Sequence, residues 1–182
     1  SYSASPAGLS INATTGDVVL GTSTPGTYTV TYTIAASGGC SAVIATASIT
    51  VTQLPSATIS YAGNPYCSNA GTATVTRTGT AGGSYSASPA GLSINATTGD
   101  VILGTSTPGT YSITYTIAAG GGCSTVTATT TLTITAAPSA SIVYTGSPYC
   151  SNAGTAVVTQ TGTSGGTYSA SPAGLTLNTT TG

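Results

Sequence analysis

The sequence contains no His, Lys, Glu, Phe, Trp or Met. Its full charge inventory is Arg77, Asp17 and Asp100, so charged residues make up 2% of the chain, against about 25% in an ordinary soluble domain. Each absence excludes a chemistry. Without His, Glu or Lys there is almost no general acid or base near neutral pH. Ser and Thr hydroxyls abound, but nothing can activate them as nucleophiles, so no enzyme is expected. One cation cannot neutralise a phosphate backbone, which removes nucleic acid as a partner. Two isolated carboxylates cannot cage calcium, and four Cys without His make a poor zinc site, so no metal or cofactor is expected. No run of 18 apolar residues occurs, and membrane insertion is not expected.

What is present is 41 Thr, 25 Ser and 25 Gly, half of the 182 positions. Bulky apolar material comes only from Val, Ile, Leu and Tyr. These side chains pack well on a pleated surface, while strong helix formers are nearly missing. Disorder is the rival reading of such a composition. It requires low hydrophobicity or high net charge, and the chain has 39% hydrophobic residues and a net charge of −1.

Internal repetition sets the organisation. The segment SYSASPAGLSINATTGDV begins at Ser1 and recurs at Ser84, and a variant, TYSASPAGLTLNTTTG, begins at Thr167. The period is 83, and residues 1–83 share 64 identities with residues 84–166. Such a period is too long for a solenoid coil and suits one small domain. The segments around Pro55 and Pro138 each follow a long alternating run, and Pro cannot donate to a sheet ladder. We therefore expect the later part of one domain over 1–54, a complete domain over 55–136, and the earlier part of a third over 137–182. The whole reads as an excerpt from a longer tandem array.

Within 55–136, period-two alternation marks strands. Tyr111, Ile113, Tyr115 and Ile117 share one face, with Ser112, Thr114 and Thr116 on the other. Val126–Ile134 alternates with a nearly unbroken row of Thr. Ala57–Tyr61, Thr72–Thr78, Ser84–Ser88, Leu92–Asn95 and Asp100–Leu103 complete seven predicted strands. Asn95–Asp100 predicts a hairpin loop and Pro108-Gly109 a second turn. Seven strands at nearly 12 residues each fit a seven-stranded all-β sandwich.

Cys67 and Cys123 fall inside the complete unit, with Cys40 and Cys150 as their equivalents in the neighbours. A thin core gains from a staple, and a Cys67–Cys123 bond would close a loop of about 56 residues, worth roughly 4 kcal/mol. A Cys40–Cys67 bond across the proline joint is the alternative, and loop entropy barely separates the two. The domain phase favours Cys67–Cys123, leaving Cys40 and Cys150 to partners outside this segment. Paired thiols imply an oxidising, extracytoplasmic setting. Asp17 and Asp100 read as turn residues closing hairpins, and Gln160 replaces Arg77 in the next repeat. Asn12, Asn95 and Asn178 stand in Asn-x-Thr triplets, which are glycosylation acceptors or the chance product of a Thr-rich repeat.

The block PAGLSINATTGDVILGTSTPGTYSITYTIAAGGGC resembles a family of bacterial immunoglobulin-like repeats, in which a Gly-Leu-Ser-Ile hairpin precedes a Pro-Gly-Thr-Tyr strand. The Pro-Tyr-Cys-Ser-Asn-Ala-Gly and Gly-Gly-Cys segments are similar to the version in giant surface proteins of gliding bacteria, exported by the type IX pathway. The resemblance implies tandem immunoglobulin-like sandwiches in an extracellular or cell-surface stalk, adhesin or filament, and no catalytic residues. Charge adds one expectation. Edge strands are usually guarded by Lys and other charges, and a net charge near zero favours association. Copies of the chain are therefore the expected partners. Surface glycans, held by an exposed aromatic platform among Tyr61, Tyr66, Tyr85, Tyr111 and Tyr115, are the alternative.

Overall fold

The computed structural model describes residues 1–182, and its regular elements are strands and two short 3-10 turns. The strands are β1 (Tyr2–Ser5), β2 (Gly26–Ile34), β3 (Val43–Val51), β4 (Ala57–Tyr61), β5 (Tyr66–Cys67), β6 (Thr72–Ala73) and β7 (Val75–Gly79). They continue as β8 (Ser84–Ser88), β9 (Val101–Ile102), β10 (Gly109–Ile117), β11 (Val126–Thr135), β12 (Ala140–Tyr144) and β13 (Val158–Gly162). The 3-10 turns lie at Leu20–Thr22 and Leu103–Thr105.

In the middle of the chain, two layers face each other. One is the sheet β5-β11-β10-β8, built on a nine-rung antiparallel hairpin in which Gly109 faces Ile134 and Ile117 faces Val126. The other comprises the pairs β4-β7 and β6-β9. Alternation sends Tyr111, Ile113, Tyr115 and Ile117 of β10, and Leu132 and Ile134 of β11, to the inside. They meet Ile59 and Tyr61 of β4, Ala73 of β6 and Val101 of β9 in a single cluster of 12 buried residues. This is an immunoglobulin-like β-sandwich, with one buried and one wet face per layer.

Two expected strands are found to the residue, Ala57–Tyr61 and Ser84–Ser88. The structure also corrects the count, with eight strand segments between Ala57 and Thr135 instead of seven. Thr72–Thr78 splits at Thr74, because its first part pairs with β9 and its second with β4. Leu92–Asn95 is no strand, and only Ile94 bridges to Val101. The unforeseen element is β5, two residues long, which pairs parallel with the end of β11. Asn64 prepares that contact: its Nδ2 donates to Thr131 O (3.2 Å) and its Oδ1 accepts from Thr133 N–H (2.8 Å). One edge of the main sheet is thus covered by a side-chain amide and a short strand, without any charge.

The Asn95–Asp100 loop forms as its sequence predicts. Asn95 Oδ1 accepts from Thr97 N–H and Thr98 N–H, and Gly99 N–H closes back on Asn95 O at 2.8 Å. Gly99 has φ +80, and a Cβ there would lie 2.7 Å from Val75 Cγ1. Only glycine fits, because the loop turns directly over the core.

Residues 1–51 build the same main sheet, β1-β2-β3, in the same register, with Tyr2 opposite Tyr32 as Tyr85 is opposite Tyr115. Residues 140–162 build the counterpart of the second layer, with β12 paired to β13 from Ala140–Gly162 to Tyr144–Val158.

Candidate functional site

The most regular chemical feature of the complete unit is the outer face of its main sheet. The residues that alternate with the core positions are all hydroxyl-bearing. Ser84, Thr116 and Thr127 form one rung across β8, β10 and β11, followed by Ser86, Thr114 and Thr129, and then by Ser88, Ser112 and Thr131. Thr110 and Thr133 form a fourth, with their hydroxyl oxygens 3.0 Å apart. The first repeat presents the same tiling except at one end, where the exposed Ile44 faces Thr33 in place of a hydroxyl. Ser3-Thr31-Thr46 and Ser5-Thr29-Ser48 are its rungs, with Thr27 and Thr50 paired at 3.0 Å. On the second layer, Thr58 and Thr78 pair at 2.7 Å. Strand spacing of about 4.8 Å and a repeat of about 6.7 Å along each strand fix this lattice. A hydroxyl both donates and accepts, so the face can bond to any polar surface, including its own copy, without burying an ion.

The three charged side chains stand apart from this face. Asp100 accepts from Thr98 Oγ1 (2.8 Å) and Asp17 from Thr15 Oγ1 (2.7 Å), which places both as loop-closing residues. Arg77 lies on the inner side of β7, its guanidinium carbon 5.6 Å from the centroid of the Tyr115 ring, and it donates to Gly79 O (3.0 Å). Asn12, Asn95 and Asn178 are exposed, and each uses its side-chain carbonyl to hold its own loop.

The tyrosines do not form a platform. Tyr61, Tyr85, Tyr111 and Tyr115 are buried in the core, and only Tyr66 is half-exposed. Four of the five polar tips have a backbone partner. Tyr61 Oη donates to Gly99 O (2.5 Å), Tyr111 Oη to Thr107 O (2.6 Å), Tyr66 Oη to Ala62 O, and Tyr115 Oη to Thr80 O (3.1 Å) while accepting from Gly83 N–H (2.8 Å). Burial pushes the Tyr61 phenol well above the ordinary tyrosine range, and neighbouring Tyr85, Asp100 and Tyr66 push the same way. Burial also raises the Tyr85 phenol, against the opposing pull of Arg77.

The cysteines correct the expected staple. All four thiols are free. Cys67 sits beside Thr135 at the end of β11, whereas Cys123 lies in the hairpin that precedes the start of β11. β11 alone, Val126–Thr135, puts nine residue steps between Thr135 and the hairpin that carries Cys123, about 30 Å at 3.3 Å per residue. A disulfide needs Cα atoms within about 7 Å, so a Cys67–Cys123 bond inside one unit is incompatible with the fold. Sequence reasoning missed this because it did not see β5, the element that carries Cys67 to the far end. Cys40–Cys67 fails as well: β3 holds Cys40 away from the Thr52–Gln53 joint in the first repeat, and β11 holds Cys67 away from that joint in the second.

Residues 1–52 match a family model described as "Putative Ig domain". The matched segment is the one that recurs at 84–135, with 42 of its 52 residues identical. No curated protein matches the chain. The family match and the two-layer architecture agree on an immunoglobulin-like fold. No helix is long and apolar enough to cross a membrane.

Proposed function

We propose that the chain is a repeating structural segment of an extracellular filament, stalk or adhesin, and that its units self-associate through their uncharged Thr-rich strands. The observation that carries this reading is the hydroxyl lattice on β8, β10 and β11, repeated with the same register on β1, β2 and β3. A largely hydroxyl surface that recurs from unit to unit offers nearly the same complement many times over, so a weak contact multiplies along an array. With no charge to desolvate, two such faces can meet at small electrostatic cost. The surface of a gliding bacterium, reached by the type IX route, is the setting in which this array would work.

Sedimentation of the chain over rising concentration tests the reading. Association that is indifferent to sodium chloride between 0.05 and about 1 M is expected, because screening has little to act on. Thr114→Lys and Thr129→Lys place like charges on the lattice and should abolish association with the far-ultraviolet spectrum unchanged. A chain that stays monomeric at millimolar concentration overturns the proposal.

A further inference from the structure

Each unit carries two thiols, and the fold holds them at opposite ends. Cys67 pairs in parallel register with Thr135, and Ser68 N–H donates to Thr135 O at 2.9 Å. Cys123 belongs to the β10–β11 hairpin tip, which is seated on the joint before its unit. Its Sγ lies 3.9 Å from Gln53 O, and a Cβ on Gly121 would stand 2.8 Å from Thr52 Cγ2. Thr52 occupies the repeat position of Thr135, 83 residues earlier. In a continuing array, the counterpart of Cys67 in one unit therefore stands opposite Thr52, where the Cys123 hairpin of the following unit rests. The backbone of the first cysteine is one strand spacing, about 4.8 Å, from Thr52, and the Sγ of the second lies 3.9 Å from Gln53 O. Both cysteines thus stand against adjacent residues of one joint, and a disulfide between them requires their Cα atoms to come within about 7 Å.

Exposure agrees with this placement. Cys123 is half-buried, and Cys40, the same residue in the first repeat, is exposed. What covers Cys123 and not Cys40 is the joint at Thr52–Gln53.

We propose that the disulfides of this protein link successive units, joining Cys67 of one to the counterpart of Cys123 in the next. The joint then becomes a covalently clamped hinge, and successive closed loops overlap along the array. Each bond forms with loss of one hydrogen from each thiol. The two protons and two electrons pass to a disulfide oxidant, which in a test is glutathione disulfide leaving as two molecules of glutathione. The clamp does not depend on lateral packing and is measured on dilute monomer.

The experiment compares this chain with one extended by a period, in which residues 100–182 are repeated after Gly182. After glutathione oxidation, the 182-residue chain should keep all four thiols titratable. The extended chain has six and should lose two, with non-reducing peptide maps linking the Asn-Pro-Tyr-Cys peptide to a Gly-Gly-Gly-Cys peptide. Cys123→Ser should leave that bond in place, and Cys67→Ser should abolish it and leave every remaining thiol free. Circular dichroism of both variants checks that the fold persists. A Cys67–Cys123 bond in either chain overturns the proposal, as does an extended chain that keeps six thiols or whose bond survives Cys67→Ser.

Discussion

Residues 1–52 and 84–135 are nearly one sequence, and they form the same three-stranded ladder, yet they bury their side chains to very different degrees. Leu103 is 0% exposed and its twin Leu20 is 60% exposed; Tyr115 is 1% and Tyr32 38%; Ile117 is 8% and Ile34 51%. The ladder is the same because alternation and the turns are local properties of the segment. Burial differs because it needs the opposite layer, and β4, β6 and β7 come from residues 57–79, which pack on the second copy only. Not every pair shows the contrast: Val51 is 9% exposed and Ile134 2%. Tyr28 and Tyr111 are each 3% exposed. Their hydroxyls reach Thr24 O and Thr107 O, four residues back, and they lie over Gly8 and Gly91. All of these groups belong to the repeated segment, so this burial travels with it.

The contrast can be broken most sharply at the leucines. Leu103→Ala should cost about 3 kcal/mol, the transfer term plus the cavity left in a core that cannot collapse. Leu20→Ala should cost less than about 0.5 kcal/mol, as expected of an exposed site. Urea unfolding followed by circular dichroism measures both, and equal costs would mean that the first repeat finds a second layer after all.

Alkaline pH sharpens the same comparison at Tyr61. The folded unit holds that phenolic proton more tightly than the unfolded chain does, for which the ordinary value is near 10. Stability from this group is therefore complete below about pH 10 and falls as the pH rises beyond it. The complete unit should lose denaturant resistance from about pH 10 upward. Tyr61→Phe should flatten that decline while lowering stability at pH 7 through loss of the bond to Gly99 O. An unfolding midpoint that holds steady from pH 9 to 11 would contradict the burial argument.

The smallest effect belongs to Arg77. At the equivalent place in the third segment, Gln160 Nε2 donates to Thr161 O (3.3 Å) and Thr163 O (3.0 Å), doing for its turn what Arg77 does at Gly79. Arg77→Gln should therefore change stability by no more than about 0.5–1 kcal/mol, the scale of an exposed cation–π contact. A thermal melt that moved by more than a few degrees would show that the stack on Tyr115 is worth more than its geometry suggests.

Much of the fold was legible along the chain because hydroxyl and apolar residues alternate so strictly. Ser84–Ser88, Ala57–Tyr61 and the β10–β11 hairpin follow from period two alone, and the hydroxyl face is simply the other half of that pattern. Asn95–Asp100 was equally legible, since Asn, Thr, Gly and Asp each have a local reason to turn. β5 was not. Tyr66–Cys67 has no period to detect, and its parallel partner lies 68 residues away. Its position depends on Asn64 reaching two backbone groups of β11, a contact with no trace in local sequence. The cysteines were misassigned for that reason alone.

By itself the sequence determined the period, the all-β character, the poverty of charge and the chemistry of the outer face, because each depends only on residue type and spacing. Tertiary structure decided which copy of a repeated leucine is buried and which end of the unit each thiol occupies. Those are questions of what lies across a gap from a residue, and neighbours brought together by folding can be any distance away along the chain.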